Sequence, residues 1–137
     1  MDLQETLTPV VTIGLNRGSS SFDYSMTELN NLAEANNMKV VETLVQKLDK
    51  PDPATYFGKG KIEELSQVII DDGVDTVVAN DELSPSQIRN IEKNTHARII
   101  DRTGLILEIF ANRAQSREDK LQVELAKLKY QLPRLHT

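Results

Sequence analysis

Four short runs rich in β-branched residues punctuate this chain: Val10 to Leu15, Lys39 to Gln46, Asp75 to Ala79 and Ala97 to Ile100. Stretches far longer than a two-residue turn separate them, so successive strands cannot pair as hairpins and need crossover connections. That requirement selects a mainly parallel sheet with helices on its faces, an open α/β sandwich of four strands. Ser25 with Glu28 three residues on, and Tyr24 with Leu29 as a staple across the cap, predict a helix from Met26 to about Asn36 with Met26, Leu29, Leu32 and Ala33 inward. Asp49 to Thr55, holding Pro51 and Pro53, reads as a loop. Lys61 to Asp72 carries Ile62, Leu65 and Ile69 at helical spacing and stops at Gly73. Ser84 as cap, Pro85 at the first helical position, Gln87 completing a capping box and Leu83 stapled to Ile88 predict a helix to about Asn94.

From Asp101 to Leu135 the chain changes character, with no proline before Pro133 and a high content of Leu, Glu, Lys and Arg. Leu121, Leu125, Leu128 and Leu132 fall within a stripe about 60° wide on a helical wheel, the narrow seam of a two-helix coiled coil. Arg113, Arg117, Lys120 and Lys127 cluster roughly a quarter turn away, interrupted by Glu124. The expectation is one long helix with an apolar edge, a basic edge and no partner for its seam.

The formal charge is −5 overall, but from Ala111 onward six cations face three carboxylates, leaving −8 for residues 1 to 110. An acidic body with a basic arm argues against a body that wraps nucleic acid and leaves the arm free to meet phosphate. The chain has no cysteine, so a disulfide framework, a thiolate metal site and a Cys nucleophile are excluded. The opening MDLQETLTPVVTIGL lacks the pattern of a signal peptide, and no apolar window is long enough to span a membrane; a cytoplasmic location is the expectation.

Two places offer chemistry. Tyr56-Phe57-Gly58-Lys59-Gly60-Lys61 precedes a helix start, where glycines, outward N–H groups and two lysines suit an anion. The spacing is not that of a Walker A loop, because one residue separates the glycines and Ile62 follows Lys61; a plain helix-entry turn is the alternative. Asn80-Asp81-Glu82 follows the third strand, where open α/β sheets bind ligands and a carboxylate could hold Mg²⁺ or act as a base, although such acids are also ordinary in a polar loop. His96 and His136 lie forty residues apart and do not suggest a metal site.

Taken in order, YFGKGKIEEL, NDELSPSQIRNIEK, IIDRTGLILEIFANRA and REDKLQVELAKLKYQLPRL resemble the amino-terminal region of the HflX-type GTPases over residues 7 to 135. The resemblance implies an α/β amino-terminal subdomain, a helical hairpin and then a Ras-like G domain, the whole binding the large ribosomal subunit and splitting or rescuing ribosomes. It places GTP and Mg²⁺ in the G domain, whose motifs do not occur here, so no catalytic residue is carried over. The expected division is an α/β part at 1–102 and a helical arm at 103–137, the arm being the first helix of a hairpin cut at its tip. The arm's RNA contacts would be Arg113, Arg117, Lys120, Lys127 and Arg134, with Gly58, Lys59, Gly60 and Lys61 a weaker phosphate contact. Two other functions compete. One is an adenine-nucleotide enzyme domain using the Gly58–Lys61 turn and Asp81 or Glu82; the other is an interaction module that forms a homodimer through Leu121, Leu125, Leu128 and Leu132.

Overall fold

The computed structural model describes residues 6–135. In chain order the elements are β1 (Thr8–Asn16), α1 (Phe22–Ala35), β2 (Met38–Lys47), α2 (Lys59–Asp72), β3 (Thr76–Ala79), α3 (Pro85–Thr95), β4 (Arg98–Asp101), α4 (Arg102–Arg113) and α5 (Arg117–Gln131), closed by a 3-10 turn at Leu132–Arg134. The strands form one four-stranded sheet in the order β2-β1-β3-β4, and every neighbouring pair is parallel. The architecture is thus α/β: a parallel sheet with flanking helices, followed by a long final helix.

Period-two alternation sorts the strand residues between two apolar layers. Val10, Val78 and Ile100 face α1 and α4, where they meet Phe22, Met26, Leu29, Leu105 and Ile109. Val11, Ile13, Val77 and Ile99 face α2 and α3, against Ile62, Leu65, Ile69 and Ile91. Gly14 lies under α1, where a Cβ would stand 2.4 Å from the Met26 sulfur, so the sheet and helix approach only because that side chain is missing. On β2 the register slips between Val40 and Glu42, leaving Val41 as the extra residue of a bulge. At the opposite edge the outward Ile99 N–H donates to the Glu92 carboxylate at 3.1 Å, which blunts β4 as a template for another strand.

Local signals account for most boundaries. The capping box of α3 is complete: Ser84 Oγ accepts from Gln87 N at 3.1 Å and Gln87 Oε1 accepts from Ser84 N at 2.9 Å. α2 ends on Gly73 at φ +65°, with Val74 N–H returning to the Ile69 carbonyl, the left-handed stop that glycine favours. α1 begins earlier than its sequence signal, with Ser21 rather than Ser25 at the cap. Ser25 sits inside the helix with its hydroxyl turned to Asn80, and Tyr24 is exposed instead of stapling.

The final segment differs from the expected single helix starting near Thr103. It is broken at Ala114–Ser116, where Ala114 turns extended and Ser116 Oγ accepts from Asp119 N at 2.9 Å to start a new helix. α5 then returns antiparallel along α4, its Tyr130 reaching Asp101 at the root of α4. α4 and α5 therefore make an antiparallel pair turning at Ala114–Ser116, and α5 is the long terminal helix of the expected arm, starting at Arg117 rather than near Thr103. α4 is anchored in the core through Leu105 and Ile109, whereas α5 has no buried residue.

Candidate functional site

β1 and β3 are neighbours although their connections leave in opposite directions, and ligands of open α/β sheets bind at such a reversal, beyond the carboxyl ends of the strands. Polar side chains converge there. Asn80, the residue after β3, is held by the Ser25 hydroxyl and accepts a 2.8 Å hydrogen bond from Arg102, whose other nitrogen pairs with Glu28. Asp81 accepts from the Tyr56 hydroxyl at 2.5 Å and lies 3.7 Å from Arg17. Burial above all, then the bond to Asp81, pushes the Tyr56 phenol well above its ordinary range, so it acts as a hydrogen-bond donor.

Tyr56 reaches Asp81 from an unusual backbone position, φ +64°. The loop before it is wound by Asp52, whose Oδ1 accepts from Ala54 N at 2.7 Å and Thr55 N at 3.0 Å; these bonds, Ala54 first, hold its carboxyl below the usual range. Tyr56 and Phe57 stack with centroids 5.5 Å apart and are fully enclosed. In the stretch read as an anion turn, the two aromatics are thus core residues.

Of the turn itself, Gly58 caps α2 and donates its N–H to Gln46 Oε1 at 2.9 Å, and Lys61 pairs with Glu64 at 2.8 Å. Lys59 and Gly60 are exposed. A separate open pocket lies at the ends of β1 and β2, lined by Asn16, Arg17, Gly18, Ser19, Lys47 and Asp49. Its glycine and serine loop follows the first strand, a position from which open α/β sheets cradle phosphate.

The cations of the arm are dispersed. Arg113 closes α4, while Arg117 and Lys120 open α5, so these three gather around the hairpin turn and are exposed. Lys127 lines the groove between α4 and α5 beside Tyr130. Arg134 lies at the other end of the arm, its side chain 15% exposed, near Glu82 at 3.4 Å and Asp101 at 3.9 Å and stacked 3.9 Å over the Tyr130 ring. The four leucines stand outward, 63% exposed at Leu121, 49% at Leu125, 46% at Leu128 and 63% at Leu132. α5 meets α4 with a different face, on which Val123, Ala126 and Tyr130 are half-buried.

Asp101 is the residue that sequence reasoning undervalued. Fully buried at the end of β4, it accepts from Leu83 N at 2.9 Å, from Gly104 N at 3.0 Å as the cap of α4, and from the Tyr130 hydroxyl at 2.5 Å. An aspartate ending a strand just before a helical run is a recognisable N-cap signal; its other two partners are distant in sequence. Among the described residues no group of three or more His, Asp or Glu side chains is placed to hold a metal ion, and no helix is long and apolar enough to cross a membrane. His136 lies outside the described residues.

Comparison with known proteins finds two family matches: the GTP-binding GTPase N-terminal family over residues 23–111 and the GTP-binding GTPase middle region over residues 113–137. The chain is 49% identical to a GTPase HflX of Alkalihalophilus pseudofirmus over 134 residues, covering 96% of this chain and 32% of that protein. It is 50% identical to a GTPase HflX of Magnetococcus marinus over 110 residues, covering 80% and 26%. The chain therefore spans about a third or less of the length of the curated relatives it matches. Among solved structures, a GTP-binding protein from the archaeon Sulfolobus solfataricus in complex with GDP superposes with TM-score 0.70 at 28% identity, covering 93% of this chain and 38% of that one. A complex of SsGBP with GDP gives TM-score 0.74 at 28% identity, covering 94% and 36%.

Proposed function

From the premise that this chain belongs to the HflX-type GTPase family, as its amino-terminal part, we propose that it is the ribosome-directed module of a GTP-dependent factor that splits or rescues ribosomes. In this reading residues 1–102 are the scaffold, and residues 103–137 are the arm that meets the RNA of the large subunit. The supporting observation is the exposed group Arg113, Arg117 and Lys120 around the hairpin turn of an otherwise acidic chain. Glu118 and Asp119 lie in the first turn of α5, where they answer the helix dipole, and leave the cations as the phosphate-facing groups. Recognition there is by shape and phosphate rather than by base edges, since folded RNA hides its bases. Lys127 and Arg134 stand away from this cluster and contribute less. Pelleting the chain with isolated ribosomal subunits tests the proposal: retention by the large subunit, lost as salt is raised, is expected. Equal retention by both subunits, or by neither, counts against it.

A second reading is a nucleotide site in the α/β body. It is supported by the GDP complexes among the similar structures and by the pocket beside Gly18, Ser19, Arg17 and Lys47. In the factor as a whole GTP and Mg²⁺ belong to the G domain, so the ribosome-directed reading expects no micromolar heat of binding when this chain is titrated with GTP, GDP or ATP in the presence of Mg²⁺. Saturable micromolar binding, abolished by Arg17→Ala, would transfer the function to that pocket.

A further inference from the structure

We propose that Tyr130 and Arg134 form a latch that clamps the end of α5 onto the carboxyl edge of the sheet, and that the arm opens by releasing it. This holds whatever the arm touches. α5 has no fully buried residue and meets α4 only through half-buried Val123, Ala126 and Tyr130, so the packing along its length is light. Its fastening is concentrated at one end. The Tyr130 hydroxyl donates to the buried Asp101 carboxylate at 2.5 Å. Arg134 stacks on the Tyr130 ring, donates to the Tyr130 carbonyl at 2.7 Å and to the Leu83 carbonyl at 3.3 Å, and pairs with Glu82.

The receiving side is shaped for the phenol. A Cβ on Gly104 would lie 3.0 Å from the Tyr130 hydroxyl and 2.9 Å from Ile100 Cγ1, so the absence of a side chain there admits the ring to Asp101. Asp101 also caps α4 and holds the Leu83 N–H, which ties the seat of the latch to the loop that follows β3. Closure is not free of cost: Arg134 Nε is buried without a hydrogen-bond partner, an unfavourable element that opening relieves. The three-residue turn Ala114–Ser116, with Ala114 extended, is the pivot at the far end.

The absence of cysteine makes the test direct. Spin labels at introduced Lys93→Cys, on α3, and Lys129→Cys, beside the latch, report the separation of arm and body. The native sequence is expected to give one narrow distance distribution. Tyr130→Phe, which keeps the ring and loses the donor, should broaden it, and should speed amide exchange in residues 117–134 by about tenfold or more while sheet amides stay protected. Arg134→Ala should act in the same direction. An unchanged distribution and unchanged exchange in Tyr130→Phe would overturn the latch. So would acceleration of the β1 and β3 amides to the same degree, which would make Tyr130 an ordinary part of global stability. If the variants fail to fold, exchange in the unaltered chain decides: α5 amides must open together ahead of the sheet, and opening only on global unfolding contradicts the proposal.

Discussion

Replacing Asp101 with alanine is expected to lower the unfolding free energy by about 3 to 5 kcal/mol, because it removes a fully buried carboxylate on which several groups converge. Leu83 N, Gly104 N and the Tyr130 hydroxyl would all lose their acceptor, and Arg134 would lose a nearby counter-charge. Each donor left dry costs about 1 to 3 kcal/mol, and α4 loses its cap as well. Thermal unfolding followed by circular dichroism should show the midpoint fall by about 10 to 20 °C. Asp101→Asn keeps one acceptor oxygen in the same space and should lose roughly half as much. A midpoint within about 3 °C of the native value for Asp101→Ala would show that water or rearrangement satisfies those donors, and the description of this corner would be wrong.

The second large effect concerns the leucine stripe. Leu121, Leu125, Leu128 and Leu132 are about half exposed or more on a face that α4 does not use. An antiparallel second copy would set Leu125 against Leu128 and Leu121 against Leu132 about a two-fold axis, and its flanking pairs, Gln122 with Lys129 and Glu124 with Gln131, contain no like-charge clash. Fully burying a leucine is worth about 1.5 to 3 kcal/mol; half that gain over eight side chains is enough to offset association costs at high concentration. Sedimentation over a concentration series is expected to show a monomer–dimer equilibrium. Leu125→Glu combined with Leu128→Glu should weaken it by about a hundredfold or more, since four carboxylates would crowd the centre of the seam, while the sheet stays folded. A monomer at every concentration would dismiss self-pairing.

The sheet was legible in the sequence because its signals are local and agree with one another. Strand runs alternate with capped helices, and Ser84, Pro85 and Gln87 specify the start of α3 as no other arrangement would. The hairpin turn was hidden for the opposite reason. Ala114-Gln115-Ser116 contains neither glycine nor proline, and the helical composition runs across it, so the one local signal of a new start, Ser116 three residues before Asp119 with Glu118 beside it, was passed over. The true start of α1 was missed because two serines compete, and the rejected one, Ser25, is drawn to Asn80 across 55 residues. Tyr56 and Phe57 looked like part of an anion turn because they precede glycines, yet a left-handed backbone at Tyr56 turns them into the core. The cations on either side of the turn were visible as residue types, but a single wheel placed Arg113 and Lys127 on one edge. The break puts Arg113 at the end of α4, and Lys127 is in the groove between the helices. Nothing in local pattern joins Asp101 to Tyr130, which meet only because the hairpin folds back.

The ribosome-directed reading stands or falls on how binding to isolated large subunits depends on salt. Plotted as log K against log salt concentration, the native chain should give a steep negative slope, and Arg117→Glu with Lys120→Glu should flatten it by about two units and weaken binding at moderate salt by roughly a hundredfold. A slope unchanged by the two reversals, with affinity retained, would mean that the basic end of the arm does not touch RNA.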